Sequence, residues 1–169
     1  MSAPSSDILS GTGFDVHAFE DGGIMWLGGV EIESELSFKA HSDGDVAIHA
    51  LIDALLGAAS MGDIGMMFPD NDATYKNIDS KKLLQKVVTK LNNYGFLIIN
   101  VDITIAAETP RIGKYKSNMR KTLSALLNIE TSRVNIKATT TENLGFIGRK
   151  EGVGVFANAN LKYFNWTEI

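Results

Sequence analysis

The chain contains three histidines, and all of them (His17, His41 and His49) fall early in it, among aspartates. They lie in Asp15-Val16-His17 and in Ala40-His41-Ser42-Asp43-Gly44-Asp45-Val46-Ala47-Ile48-His49. Asp15 and His17 are two apart, so in an extended segment both side chains turn to one face. Ser42 followed three residues later by Asp45 has the pattern of a capped helix start, which predicts a helix from near Asp43. Beyond it Val46, Ala47, Ala50, Leu51, Ala54, Leu55 and Ala58 recur at helical spacing, while Asp45, His49 and Asp53 form one polar line. A strand carrying Asp15 and His17, facing a helix carrying His49 one turn from its start, offers two imidazoles and a carboxylate. Such a donor set suits zinc with a fourth position left open, the arrangement of catalytic rather than structural zinc. The alternative is that Asp15 and His17 are ordinary surface residues and His49 a hydrogen-bonded core histidine.

A second stretch with chemical capacity is Thr139-Thr140-Thr141-Glu142-Asn143-Leu144-Gly145-Phe146-Ile147-Gly148-Arg149. Three hydroxyls and amides next to glycines could cradle a phosphate, Arg149 adds a planar fork, and Glu142 is a hard oxygen ligand suited to magnesium. A polar turn with a capping glutamate would have the same composition.

These residues need elements to hold them. A strand is predicted from Gly11 through His17, then a Gly22-Gly23 turn, then a second strand over Ile24 to Ile32 in which Gly28-Gly29 marks a bulge or a close backbone approach. After the first helix, the segment from Gly57 to Asp72 is rich in glycine and aspartate and reads as a loop of functional length. Asp79 and Ser80 cap a second helix with Leu83, Leu84, Val87, Val88 and Leu91 inward, stopped by Gly95. Val101, Ile103 and Ile105 alternate as a strand that ends in a turn at Ala107 to Gly113. A third helix follows, from about Tyr115 to Asn128, and strands around Val134 to Ala138 and Val153 to Tyr163 complete the order β-β-α-α-β-α-β-β. The expected fold is α+β, a single-domain sheet with helices on one face. The second face of the last strand, with Gly154, Phe156, Asn158 and Asn160, is too mixed for free solvation and points to packing against another subunit. Residues 1–10 and 165–169 are expected to be tails around one domain at 11–164.

A chain of 169 residues, 44% of them hydrophobic, can bury one substantial core. A net charge of -4 gives no basic footprint, so neither nucleic acid nor an anionic membrane is an expected partner. The absence of cysteine excludes disulfides and thiolate metal sites. No apolar run reaches membrane-spanning length, and Met1 to Ser10 lacks the basic and apolar regions of a signal peptide. The expected compartment is the cytoplasm, or a plastid-type organelle where a transit peptide has been removed.

Taken together, Gly13-Phe14-Asp15-Val16-His17, the Ala40–His49 stretch, Gly62-Asp63-Ile64-Gly65, Phe68-Pro69-Asp70-Asn71-Asp72 and Lys137-Ala138-Thr139-Thr140-Thr141-Glu142-Asn143-Leu144-Gly145-Phe146 resemble the 2-C-methyl-D-erythritol 2,4-cyclodiphosphate synthase family of the non-mevalonate isoprenoid pathway. The match runs in order from about Gly11 to Tyr163. The resemblance implies a homotrimer with active sites between subunits, and a cyclising phosphorus–oxygen lyase. The 2-phosphate of 4-diphosphocytidyl-2-C-methyl-D-erythritol 2-phosphate would attack its own diphosphate and release CMP. It also leaves room for an isoprenoid diphosphate on the trimer axis.

Carried over by that resemblance, Asp15, His17 and His49 match zinc ligands, and Glu142 matches a magnesium or manganese ligand. His41 and Thr140 match transition-state stabilisers, and Ser42 belongs to the segment that holds methylerythritol and phosphate. Asp63, Ile64 and Gly65, with Phe68, Pro69, Asp70, Asn71 and Asp72, match the ribose and substrate loop. Ala107, Glu108, Thr109, Pro110, Arg111, Ile112 and Gly113 match the cytosine pocket, from whose family pattern Glu108, Arg111 and Gly113 depart. Val16, Thr139, Thr141, Phe146 and Arg149 complete the implied substrate contacts. Two other classes share parts of this pattern. A metal-dependent phosphohydrolase would use the same cations but position a water and give an acyclic product. A noncatalytic trimeric binding module would keep the fold without metal dependence.

Overall fold

Alternation along the first strand places Asp15 and His17 together. In β1 (Leu9–Asp21), Gly11, Gly13, Asp15 and His17 turn to one face, while the exposed Thr12, Phe14 and Val16 turn to the other. The computed structural model describes residues 7–40, 42–69 and 78–164. After β1 the chain does not continue as one interrupted strand. It forms a hairpin of β2 (Met25–Leu27) and β3 (Val30–Ile32), in which Leu27 pairs with Val30. Gly28 and Gly29 are the two-residue turn, with φ of 61° and 75°. A hairpin turn with positive φ at both central positions accounts for the glycine pair better than a bulge does. A short strand, β4 (Leu36–Phe38), then pairs with β1. It is too brief to show a period in the sequence.

Helix α1 (Val46–Ala58) starts three residues later than the Ser42 pattern predicts. Gly44 has φ of 76°, which no helix accommodates. Asp45 is therefore the cap, accepting from the Ile48 backbone N–H at 3.0 Å. The same buried carboxylate accepts from Gly28 and Gly29 N–H at 2.8 and 2.6 Å, tying the hairpin turn to the helix start. The expected loop after α1 contains one turn of helix, α2 (Ile64–Met67). Helix α3 (Ser80–Asn93) buries the stripe predicted for it, with Asp79 as its cap. Then come β5 (Phe96–Ala106), α4 (Lys116–Leu127), β6 (Val134–Thr139), α5 (Gly145–Gly148) and β7 (Gly152–Tyr163).

The main sheet has the order β4-β1-β7-β5-β6, antiparallel except for the β5–β6 pair. This is the expected α+β arrangement. Helix α1 lies across β1 and β7, α3 against α1 and β5, and α4 against β6, so the core is confined to one face. The other face carries Phe14 and Phe156, 51% and 53% exposed, with ring centroids 4.4 Å apart. Ile147 of α5 packs against this face, close enough that a Cβ on Gly154 would stand 3.4 Å from its Cδ1. No helix among the described residues is long and apolar enough to cross a membrane.

Candidate active site

Two glycines bring the donors together. A Cβ on Gly13 would stand 1.9 Å from the carbonyl oxygen of Ala50, and one on Gly11 would stand 2.1 Å from that of Ala54. Without side chains at those positions, α1 lies flush on β1. Further along the same face of β1 stand Asp15 and His17, and beside Ala50 on the helix stands His49. The Asp15 Oδ2 atom is 3.1 Å from His17 Nε2 and 3.4 Å from His49 Nδ1. One ligand atom from each of the three residues lies within 4.8 Å of the others.

The hydrogen bonds behind the rings show that this donor set fits a cation. His17 Nδ1 is 2.9 Å from the carbonyl oxygen of Gly44, which can only accept, so Nδ1 carries a proton and Nε2 is the ring atom turned to Asp15, free to ligate once a cation displaces any proton there. His49 Nε2 is turned away toward Ser80, leaving Nδ1 toward Asp15. Burial opposes charge on Asp15, but hydrogen bonds and charge from His17 and His49 outweigh it and hold the carboxyl well below its ordinary range. Burial also opposes a proton on His17, and Asp15 overcomes it, so the His17 value is raised. The three groups therefore gather around a carboxylate that is ionised throughout the physiological range. Two neutral nitrogens and one carboxylate oxygen match catalytic zinc and leave a position open. The metal site expected from Asp15, His17 and His49 is thus present in the fold.

Asp53, one turn beyond His49, accepts from the Ile64 N–H at 2.8 Å and anchors the start of α2 to α1. Its carboxyl is pushed up by burial. Asp63 caps α2 through the Met66 N–H at 2.8 Å, with Asp63 and Gly65 exposed and Ile64 half-buried. Phe68 is buried in the core and Pro69 is exposed. His41, Asp70, Asn71 and Asp72 lie outside the described residues. Ser42 stands by the triad, its Oγ 3.3 Å from His49 Nε2. The Val16 side chain points to the opposite face, but its backbone N–H donates to Asp15 Oδ1 at 2.8 Å.

A second group forms where the parallel strands β5 and β6 end together. The turn at Ala107 to Gly113 leaves β5, the Thr139 to Arg149 segment leaves β6, and Ala107 N–H donates to the Thr139 carbonyl at 3.0 Å. Glu108, expected in the cytosine pocket, spends one carboxylate oxygen on this junction. Its Oε1 accepts from the backbone N–H groups of Thr141 and Asn143 at 3.0 and 3.2 Å, and from Thr141 Oγ1 at 3.4 Å. These bonds lower the Glu108 value. Glu142 and Asn143 lie between and beside them in the left-handed region, with φ of 52° and 63°. Consecutive non-glycine residues there persist only where neighbours hold them. Thr140 Oγ1 donates to Glu142 Oε1 at 3.3 Å, so the hydroxyl and carboxylate expected to act together are adjacent. Thr109 and Pro110 are half-buried, Ile112 is buried, and Arg111 and Gly113 are exposed. Phe146 is half-exposed, and Arg149 is engaged by Glu151 through two bonds of 2.8 and 3.1 Å.

Within one chain the two groups sit at the same end of the sheet, because His17 pairs with Val153 and Ala106 with Gly154. Their hydrogen bonds do not join. Among the described residues, the side chains of Asp15, His17 and His49 are seen bonded to one another and to residues 16, 42, 44 and 80, none of them in the second group. The supports Asp43, Ser80 and Asp53 were not read from the sequence as site residues. Asp53 left a signal there as the next member of the His49 line, Asp43 as part of the Ala40–His49 stretch, and Ser80 only as a helix cap.

The sequence model of the YgbB family matches residues 8–162 of this chain. The bifunctional enzyme IspD/IspF of Sulfurimonas denitrificans is 74% identical over 169 residues, which are 100% of this chain and 44% of that protein. The structure of the bifunctional IspDF from Campylobacter jejuni superposes with a TM-score of 0.93 at 48% identity, over 97% of this chain and 44% of that one. The CDP complex of IspF from Plasmodium falciparum superposes with a TM-score of 0.83 at 34% identity, over 95% of this chain and 99% of that one. The chain therefore spans less than half the length of the curated relatives it matches.

Proposed function

The chain belongs to the YgbB family, and from that premise we propose that it converts 4-diphosphocytidyl-2-C-methyl-D-erythritol 2-phosphate to 2-C-methyl-D-erythritol 2,4-cyclodiphosphate and CMP. The observation that carries this reading is the gathering of Asp15, His17 and His49 from a strand and a helix into one N,N,O donor set. Nucleotide complexes of similar proteins support a cytidine nucleotide as ligand. The catalytic domain is residues 11–164, working as a homotrimer.

In the reaction, an oxygen of the 2-phosphate bonds to the diphosphate phosphorus nearer the methylerythritol, the bridging P–O bond breaks, and CMP leaves with the electron pair. The nucleophile is already an anion, so no general base is required, and the protein's task is to position both ends of one substrate and stabilise charge. Asp15, His17 and His49 would hold zinc, and Glu142 would hold magnesium or manganese together with the substrate phosphates. Bound there, divalent cations neutralise charge on the phosphates. Thr140, whose hydroxyl donates to Glu142 Oε1 in the free chain, would turn that proton to a phosphate oxygen, and His41 takes the matching role in the family pattern. The 107–113 turn, Ser42, the Asp63–Asp72 segment, Phe146 and Arg149 hold the cytidine, the sugar and the phosphates.

Phosphorus NMR of the product formed from the cytidine substrate tests this. A cyclic diphosphate with stoichiometric CMP is expected. An acyclic phosphate with inorganic phosphate would mean a hydrolase, and unchanged substrate in the presence of zinc and magnesium would mean a binding module.

A further inference from the structure

We propose that Asp43 and Ser80 are positioning residues that lock the ring of His49 with Nδ1 turned to the cation, through a relay running from carboxylate to hydroxyl to imidazole. The proposal rests on the metal reading of Asp15, His17 and His49. Ser80 is the first residue of α3, far in sequence from the site, and it is completely buried. Its hydroxyl donates to Asp43 Oδ1 in a short hydrogen bond, and its backbone N–H donates to Asp43 Oδ2 at 3.0 Å. The Asp43 backbone N–H donates in turn to the carbonyl of Ile78 at 3.2 Å. Serine and aspartate are thus fixed to each other at two points across a gap of 37 residues, and the bond to Ile78 ties the aspartate to the same helix start.

The direction of the relay follows from counting protons. A serine hydroxyl has one, and an ionised carboxylate can only accept, so the Ser80 proton goes to Asp43. The Ser80 oxygen, 2.9 Å from His49 Nε2, must then accept from that nitrogen. Nε2 therefore carries a proton, and Nδ1, turned to Asp15, is the atom free to give its lone pair to a bound cation. Ser42 Oγ, at 3.3 Å and already accepting from Gly44 N–H at 3.1 Å, offers Nε2 a second and weaker acceptor. Partners of this kind behind a ligating imidazole fix its tautomer and orientation and raise its basicity, and losing them costs about 10–100-fold in metal affinity. His17 has the Gly44 carbonyl for this purpose. For His49 the relay fills that place, with a hydroxyl inserted between carboxylate and ring.

Two measurements test the relay. Ring-nitrogen NMR of the zinc-loaded parent protein should show His49 ligating through Nδ1 with its proton on Nε2; ligation through Nε2 would overturn the proposal without any variant having to fold. Zinc affinity, measured by competition with a chromophoric chelator, should fall about 10–100-fold in Ser80→Ala, and should fall in Asp43→Asn, with thermal unfolding confirming folded protein. Parental affinity in both variants would overturn the proposal. His49→Ala is the reference: if it keeps parental zinc affinity, the metal reading itself is wrong and the relay falls with it.

Discussion

Asp15, His17 and His49 make a small site in which each residue has a different job, and removing one imidazole leaves only two protein ligands. Purified His49→Ala should therefore carry zinc well below one per chain by metal analysis, and full occupancy would count against the coordination. The corresponding residue in the second group is Glu108. Its carboxylate is drawn to the Thr141 and Asn143 amides, and it holds Glu142 in a left-handed conformation that glutamate does not adopt unaided. Because the folded value of Glu108 is lowered, the latch contributes above the ordinary glutamate range and is lost as pH falls through the lowered value. The Thr141 and Asn143 amide shifts should thus stay constant from neutral pH to below 4.5, the ordinary value for this side chain. A transition at or above that value would mean the carboxylate is not held. Glu108→Ala should free the same amides to exchange and lower turnover while zinc stays bound, since no zinc ligand is touched.

At the scale of elements, the decisive contact is α1 lying on β1 without side chains between them. A methyl on Gly13 would meet Ala50 O at 1.9 Å and Ala54 N at 2.7 Å, so the helix must move off the strand that carries Asp15 and His17. Gly13→Ala should cost about 1–3 kcal/mol, the usual range for overpacking, and should weaken zinc binding although no ligand changes. Gly57→Ala on the same helix meets nothing within 4 Å and provides the control. Its melting temperature should stay level or rise, alanine being the better helix former. If both variants bind zinc like the parent, the close approach does not set the site. This contact also shows why part of the site was legible. Asp15 and His17 are one strand period apart and His49 sits on a strongly periodic helix, so each could be placed from local spacing. The helix starts later than the Ser42 pattern predicts because Ser42, which looks like the cap, is committed to Gly44 and His49, and Asp43, the expected first residue, to Ser80. Ser80 to His49 and Glu108 to Thr141 join residues 31 and 33 apart. No local period encodes such pairs.

For the whole molecule, the open sheet face and the separation of the two residue groups make the same demand. Phe14, Val16 and Phe156 stand exposed on that face, an apolar patch that a partner subunit would cover. The triad and the Glu108–Glu142 junction share one end of the sheet but no hydrogen bond, so a cleft between neighbouring chains would complete the site with one group from each. A heterologous interface that closes after three copies satisfies both demands. If so, two different inactive chains should rescue each other. His49→Ala chains keep an intact 107–113 turn, and chains disrupted at Pro110 to Gly113 keep an intact metal triad. Equal co-refolding puts roughly three quarters of trimers in mixed form, each with one cleft of the three built from two intact halves, so activity should return to roughly a quarter of the parental value. Each parent alone should remain inactive. A monomer by light scattering, or silence from trimers shown to be mixed, would rule out the shared cleft and require both groups to work within a single chain.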